Sequence, residues 1–249
     1  MNFKSLLFRL NRPQAFLLHL CASAIILFAF YLFVSQILYP QALFWGVDGW
    51  SMFKILIPVD LILGPLLMLL IFKPNKPKLK FDVYCVLLFQ VVFFIYGAWV
   101  IYSARPVYIT LMDDHFYVST ANQIEAKDLA LASDEHFQTL PRLQPNWVTQ
   151  RSYLSLQERN QLSIITQKGE PIGFYPQFFT TLNKSKPLLP KQAKSLDQML
   201  SISAEDKLKL STYVADHKEI GIVFMPLYSK TSLMYVAINQ KTAEILRIL

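Results

Sequence analysis

The sequence predicts an α-helical membrane anchor of three transmembrane helices, joined to an extracytoplasmic α+β domain that ends in an antiparallel β-meander. Three observations support this fold: long apolar segments within residues 1–103, positive charge concentrated beside them, and alternating strand and helix patterns in residues 104–249. Hydrophobic residues make up 53% of the 249 residues and charged residues only 16%. Soluble proteins are usually nearer a quarter charged. We therefore predict a membrane domain over 1–103 and a separate domain over 104–249.

The three predicted spans cover about residues 15–38, 55–72 and 83–102. Each segment is apolar, and each is long enough to cross a hydrocarbon core of about 30 Å as a helix. The first segment is longer than the apolar region of a signal peptide, and no small-residue cleavage site follows it. We therefore expect it to remain as an uncleaved anchor.

Lysine and arginine positions predict the orientation of the spans. Lys4, Arg9 and Arg12 precede the first span, the loop 39–50 has no basic residue, and the loop 73–82 has four lysines. Because basic residues stay on the cytoplasmic side, the N-terminus is expected inside and everything after Ser103 outside. This placement of charge is typical of a membrane protein, so nucleic acid is not an expected partner, whereas membrane lipid is.

The second span carries residues that are unusual inside a membrane. Pro58 and Pro65 each remove a backbone hydrogen bond and favour a kink, and Gly64 lets a neighbouring helix approach closely. Asp60 should face protein rather than lipid, because an intramembrane carboxylate is costly and often functional. We interpret these four residues as an intramembrane contact for a partner or an ion. The alternative is a structural hydrogen bond that fastens the three helices.

Depth in the membrane suggests which side chains surround Asp60. A second span that begins at Ile55 places Asp60 near the outer surface. Its expected neighbours are then Ser35 and Gln36 on the first span and Tyr96 on the third.

The remaining 146 residues suffice for one compact domain. Branched and aromatic residues predict a hairpin, and polar turns near the C-terminus separate three further strands. Serines followed by acidic residues predict helix starts at Ser155 and Ser203. The predicted elements are strands Val107–Leu111 and Phe116–Thr120, a helix Gln123–Ala132, helices from Ser155 to about Thr166 and from Ser203 to near Lys218, and strands Gly221–Tyr228, Ser232–Asn239 and Ala243–Leu249.

No catalytic motif occurs in the sequence, and we predict no catalytic residue, no cofactor and no metal. His115 and His136 each follow acidic residues, a pattern that could bind a divalent ion, but no recognised ligand spacing accompanies it. Aromatic residues flank Pro176 and suggest a docking surface, with core packing as the alternative. These docking candidates are Phe174, Tyr175, Phe178 and Phe179.

A family resemblance extends these inferences. The stretches Val59–Leu67, Phe72–Pro74, Leu79–Asp82, Tyr96-Gly97 and Arg105–Val107 resemble the TfpX/TfpZ-type type IV pilin accessory proteins. The resemblance implies a multi-pass protein of the bacterial inner membrane whose C-terminal domain is periplasmic. It implies a partnership with the type IV major pilin, and with other pilus machinery, that supports pilin stability, assembly or pilus dynamics, and it implies no enzymatic activity.

Two other classes of function remain open from the residues. One is a membrane-anchored enzyme that modifies pilin or envelope glycan, which would need a polar cleft in the C-terminal domain. The other is a small transporter or ligand sensor built around Asp60. Copurification with pilin would separate the accessory protein from both.

Overall fold

The computed structural model describes residues 10–74, 76–199, 202–217 and 221–249. The chain divides into two compact units. The helical unit contains the chain up to Ser35 together with Asp48–Ser103, and the sheet unit contains Gln36–Val47 together with Ala104–Leu249. Chain order alone groups residues 36–47 with the membrane helices, whereas in the structure they pack with the C-terminal unit.

Among the described residues, three helices are long and apolar enough to cross a membrane, which confirms the prediction of three long apolar helices. They cover Arg12–Leu38, Gly49–Ile71 and Leu79–Ser103. The first begins at a capping box, in which the Asn11 side chain accepts a hydrogen bond from the Gln14 backbone N–H at 2.9 Å. It is α-helical over Arg12–Phe33 and π-helical over Val34–Leu38. The basic residues Lys4 and Arg9 lie outside the described part of the chain.

The second span is irregular where its sequence predicts a kink. It is α-helical over Gly49–Ile57, π-helical over Pro58–Leu63 and α-helical again over Gly64–Ile71. Each proline lacks the N–H that an α-helix needs, and π-helical turns are frequent at functional sites. The span begins six residues before the predicted Ile55, and the exposed Lys54 lies within it. Asp60 is consequently at the centre of the span rather than near one end.

The spans pack through both bulky and small side chains. At one end of the unit a buried cluster joins the first span to the other two, and it comprises Ala15, Met68, Phe72, Leu79, Val83 and Val86. Gly97 lies against the second span, since a Cβ atom at this position would be 2.5 Å from Cδ1 of Leu56. Close backbone approach at small residues is how membrane helices associate.

The sheet unit is built on one mixed sheet, in which seven strands are described. The strands are β1 Pro106–Leu111, β2 Phe116–Thr120, β3 Asn146–Gln150, β4 Phe179–Thr181, β5 Ile222–Tyr228, β6 Leu233–Asn239 and β7 Ile245–Ile248. Their order in the sheet is β4-β3-β1-β2-β5-β6-β7, and the pairs β1-β3 and β2-β5 are parallel. The α+β class and the antiparallel β5-β6-β7 meander confirm the prediction, as does the antiparallel β1-β2 hairpin.

Helices of the sheet unit begin where serine caps are predicted. Ser155 accepts a hydrogen bond from the Glu158 N–H and Ser203 from the Asp206 N–H, which caps Leu156–Gln167 and Ala204–Asp216. The expected end near Lys218 lies outside the described residues. The helix predicted over Gln123–Ala132 is reduced to one turn. The shorter helices are Leu43–Gly46, Ala126–Ala130 and Leu189–Gln192, with 3₁₀ turns at Ala121–Gln123, Glu135–Phe137, Ile172–Phe174, Pro176–Phe178, Leu182–Lys184, Lys186–Leu188 and Leu196–Gln198.

Residues 36–47 are tied to the meander by hydrogen bonds. The Gly46 carbonyl accepts bonds from the hydroxyls of Ser229 at 2.5 Å, Thr231 at 3.1 Å and Ser232 at 2.7 Å. Gln41 Oε1 accepts a bond from the Ile248 N–H at 2.6 Å on the edge strand β7. Residues 36–47, which comprise the last residues of the first long helix and the segment after it, are therefore part of the sheet unit.

Because residues 36–47 belong to the sheet unit, we predict that a substitution of a buried residue in this segment destabilises that unit. Leu43 is fully buried, so Leu43→Ala should lower the stability of the sheet unit by about 2–5 kcal/mol. Protease resistance of residues 104–249, measured against temperature in the full-length protein in detergent, would report the change. Ile37→Ala is the matched control, because Ile37 is exposed in the same segment. Equal resistance of the two variants would contradict the assignment.

Candidate functional site

Gln90 connects all three spans at the level of their centres. Its amide nitrogen donates to Ser23 Oγ at 2.8 Å on the first span and to the Asp60 carbonyl at 2.9 Å on the second. Its Oε1 lies 2.5 Å from Nε2 of His19. An amide oxygen can only accept a hydrogen bond, so Nε2–H of His19 is the donor. One side chain of the third span thus holds two positions on the first span and one on the second.

Gly64 makes room for this amide. A Cβ atom at residue 64 would lie 2.9 Å from Gln90 Oε1 and 3.0 Å from its Cδ, closer than side-chain atoms pack. The sequence predicts that a neighbouring helix approaches closely at Gly64. Within the helical unit, the third span supplies that neighbour.

Asp60 is buried without a hydrogen-bond partner for its carboxylate. The residue is 2% exposed, and neither carboxylate oxygen has a hydrogen-bond partner among the described residues, although the Gln90 amide lies nearby. Only its backbone carbonyl is bonded to that amide. The choice between a partner contact and a structural role for the Asp60 carboxylate therefore stays a prediction.

The polar side chains around Asp60 differ from those expected. His19, Ser23 and Gln90 share a cavity with it, whereas Ser35, Gln36 and Tyr96 do not line that cavity, and the Ser35 hydroxyl has no partner among the described residues. The expectation assumed that the second span begins at Ile55. Because it begins at Gly49, Asp60 is the twelfth of 23 residues, level with Gln90, the twelfth of 25 in the third span.

The cavity combines one acidic group with apolar walls. Its volume is about 210 Å³, and its apolar lining comes from the first and third spans: Ala22, Ile26, Leu27, Leu87, Val91 and Phe94. Ile26 and Val91 are more than half exposed, so the rim of the cavity faces the surroundings of the helical unit. Such a mixture of apolar walls and few polar groups is typical of a ligand site.

Pro58 and Pro65 lie beside the site without lining its cavity. Pro58 is the first residue of the π-helical segment, and Pro65 follows Gly64 directly after it. Pro58 is exposed and Pro65 is buried. Their contribution is to the local helix geometry that brings Asp60 and Gly64 against Gln90.

The four aromatic residues suggested for docking fall into two groups. Phe178 and Phe179 are at most 2% exposed, and Phe179 packs edge-on against Tyr108 with ring centres 5.0 Å apart. Both belong to the core, as the alternative interpretation holds, so they form no docking surface. Phe174 and Tyr175 are half-buried. Burial, aided by a hydrogen bond to Glu170, raises the pKa of Tyr175 to about 12.

The histidines of the sheet unit have local partners. His115 Nδ1 lies 2.9 Å from Asp114 Oδ1, an interaction that lowers the pKa of Asp114, and the His115 ring contacts that of Tyr228. His136 Nε2 lies 3.2 Å from the Asn146 side chain. Within the described ranges, no group of three or more histidine, cysteine or acidic residues is placed to hold a metal ion.

Sequence reasoning missed Gln90 and His19. Both are uncharged polar residues in largely apolar helices, and attention to formal charge alone passes over them. An amide in a membrane helix needs a partner for each of its hydrogens, which is the signal that could have identified Gln90.

The geometry predicts that the effect of Gly64→Ala on stability depends on whether Gln90 is present. In the natural chain the new methyl group should displace the Gln90 amide and cost about 1–2 kcal/mol of unfolding free energy. In a Gln90→Ala background it should be neutral or stabilise by up to about 1 kcal/mol, because alanine favours a helix over glycine. Unfolding in lipid nanodiscs would measure both. The same loss in both backgrounds would show that Gly64 does not accommodate Gln90.

Comparison with known proteins gives two relatives. The chain is 26% identical over 205 residues to the fimbrial assembly protein, serogroup I, of Dichelobacter nodosus, covering 80% of this chain and 79% of that protein. It is 24% identical over 237 residues to the fimbrial assembly protein, serogroup E1, of the same organism, covering 93% and 88%. No family model and no solved structure matches the chain significantly. The chain is therefore similar, at low identity and over most of its length, to proteins of fimbrial assembly.

Proposed function

We propose that this protein is an inner-membrane accessory protein of type IV pilus assembly that binds the cognate pilin. The observation that carries the proposal is a cavity between membrane helices with a buried acidic group that no described residue satisfies. The names of the two relatives support a role in fimbrial assembly. The resemblance to TfpX/TfpZ-type accessory proteins supports the pilin as partner.

The proposed topology has a cytoplasmic N-terminus and a periplasmic sheet unit. Support comes from the three spans together with the lysines of residues 73–82, because basic loops stay on the cytoplasmic side. In this arrangement, a pilin anchored in the same membrane meets the helical unit in the bilayer. The soluble part of the pilin then lies on the same side of the membrane as the sheet unit.

The accessory role is proposed to be non-enzymatic. His115 and His136, the histidines considered for chemistry, are engaged by Asp114 and Asn146 and pack against the rings of Tyr228 and Phe137. These contacts suit a structural role. Support of pilin stability, assembly or pilus dynamics requires binding rather than a chemical step.

A ligand sensor or transporter subunit is the second candidate, and the Asp60 cavity favours it. A sensor would bind a small molecule in this cavity without contact to pilin. An accessory protein would use the same surface for a protein partner. The two candidates therefore differ in what lies against the rim of the cavity in the cell.

Photocrosslinking at the rim tests the proposal. A photoreactive amino acid at Ile26 or Val91, which line the cavity, should crosslink to pilin in membranes of pilus-producing cells. Ile25 and Val92 are matched controls, since they are at least as exposed as Ile26 and Val91 and lie at nearly the same depth, but point about 100° away around the helix. We expect at least several-fold more pilin adduct from the rim positions.

Other outcomes of this experiment are informative. Adducts only with lipid, or equal pilin adducts from all four positions, would contradict pilin binding at the cavity. Pilin adducts confined to the rim would also weigh against a sensor that acts without pilin.

A further inference from the structure

We propose that the Asp60 cavity binds an alkylammonium group: a primary ammonium whose apolar stem lies along the walls of the cavity. The inference deepens the proposed function, on which it rests for the partner chain as one source of that group. The other source is a free small amine. Both present the same chemistry to the site.

The acidic side chain of Asp60, without a basic side chain in the lining of its cavity, favours a cationic ligand. The residues that line the cavity include no lysine or arginine, and the carboxylate has no hydrogen-bond partner among the described residues. A buried charge that lacks a partner is strongly unfavourable in a membrane. A cationic ligand would supply the missing opposite charge.

The hydrogen-bonding groups of the cavity also favour a donor. Both N–H groups of the Gln90 amide are used, toward Ser23 and the Asp60 carbonyl, and His19 Nε2–H is used toward Gln90. The remaining capacity is mainly that of acceptors: the Asp60 carboxylate, a lone pair of the Ser23 hydroxyl and Nδ1 of His19. An ammonium group has three donors and no acceptor, so it complements this set.

The size and lining of the cavity favour an alkyl stem over a bare metal ion. The cavity has about 210 Å³ of space, whereas a single water needs roughly 10–15 Å³ on the same measure. Hard metal ions take six or more oxygen ligands, and here the side-chain oxygens are those of one carboxylate, one hydroxyl and the Gln90 amide, which already accepts from His19. Methylene stems of charged groups pack well along such walls.

Ligand-dependent stability of the full-length protein tests the inference. In nanodiscs of zwitterionic lipid, n-butylammonium should raise the unfolding temperature with a saturable concentration dependence. 1-Butanol and sodium ions should not, because one lacks charge and the other lacks a stem. An equal effect of 1-butanol would overturn the inference, since it would show partition into apolar space alone.

Variants identify the groups responsible. Asp60→Asn should abolish the saturable shift. Ser23→Ala should weaken the apparent affinity about tenfold, because it removes one hydrogen bond to a charged group. Ser35→Ala is the matched control, a buried serine of the same span that does not line the cavity, and it should behave like the natural chain. If Asp60→Asn fails to fold, equal affinities of the two serine variants would still overturn the inference.

Competition separates this inference from the proposed function. If a partner chain supplies the ammonium, saturating n-butylammonium should reduce pilin crosslinking from Ile26 by several-fold; unchanged crosslinking would assign the site to a free amine. Saturable binding without any pilin crosslink would refute the proposed function and leave the cation site intact. Pilin crosslinking without saturable binding would refute the cation site and leave the proposed function intact.

Discussion

The hydrogen bonds of one amide organise the helical unit. Gln90 lies near the centre of the third span and reaches His19 and Ser23 on the first span and the backbone of Asp60 on the second. In lipid, helices gain little from the hydrophobic effect on meeting each other, so packing and hydrogen bonds decide how they associate. The position of Gln90 therefore sets which residues of the three spans share a level, and it places Asp60 beside a cavity.

The second span is adapted to this arrangement at some cost to its regularity. Pro58 begins a π-helical segment, and Gly64 ends it against the Gln90 amide. Such departures from an α-helix lose backbone hydrogen bonds, and they concentrate here around an acidic residue whose carboxylate has no partner in the described chain. This coincidence of irregular helix geometry and a carboxylate without a partner is the basis of the proposed binding site.

Much of the fold could be predicted from the sequence because its signals are local. The lengths of the apolar segments and serine caps such as Ser155 depend on neighbouring residues alone. Strands β3 and β4 were missed, because both are short and lie in a segment interrupted by prolines. Their pairing with each other, and that of β3 with β1, depends on distant sequence. The helix predicted over Gln123–Ala132 shrinks to one turn, because tertiary packing overrides a weak helical preference.

The site could be predicted only in part, because its geometry depends on contacts between residues that are distant in sequence. Asp60 and Gly64 stand out in an apolar segment, but their neighbours depend on where the second span begins. The run without charge begins at Ile55, directly after Lys54, but the helix itself begins at Gly49, so a count of apolar residues places its start six residues too late. Phe178 and Phe179 were suggested for docking but are buried, because aromatic composition alone does not distinguish a docking surface from a hydrophobic core.

A double-mutant cycle between Ser23→Ala and Gln90→Ala tests most directly whether this amide fastens the spans. The free energy of unfolding of the two single variants and the double variant would be measured in the same lipid nanodiscs. Polar pairs between membrane helices couple by about 0.6 kcal/mol on average and up to about 1.7, and the account predicts a coupling energy in this range. Additive losses, with coupling below about 0.3 kcal/mol, would contradict it.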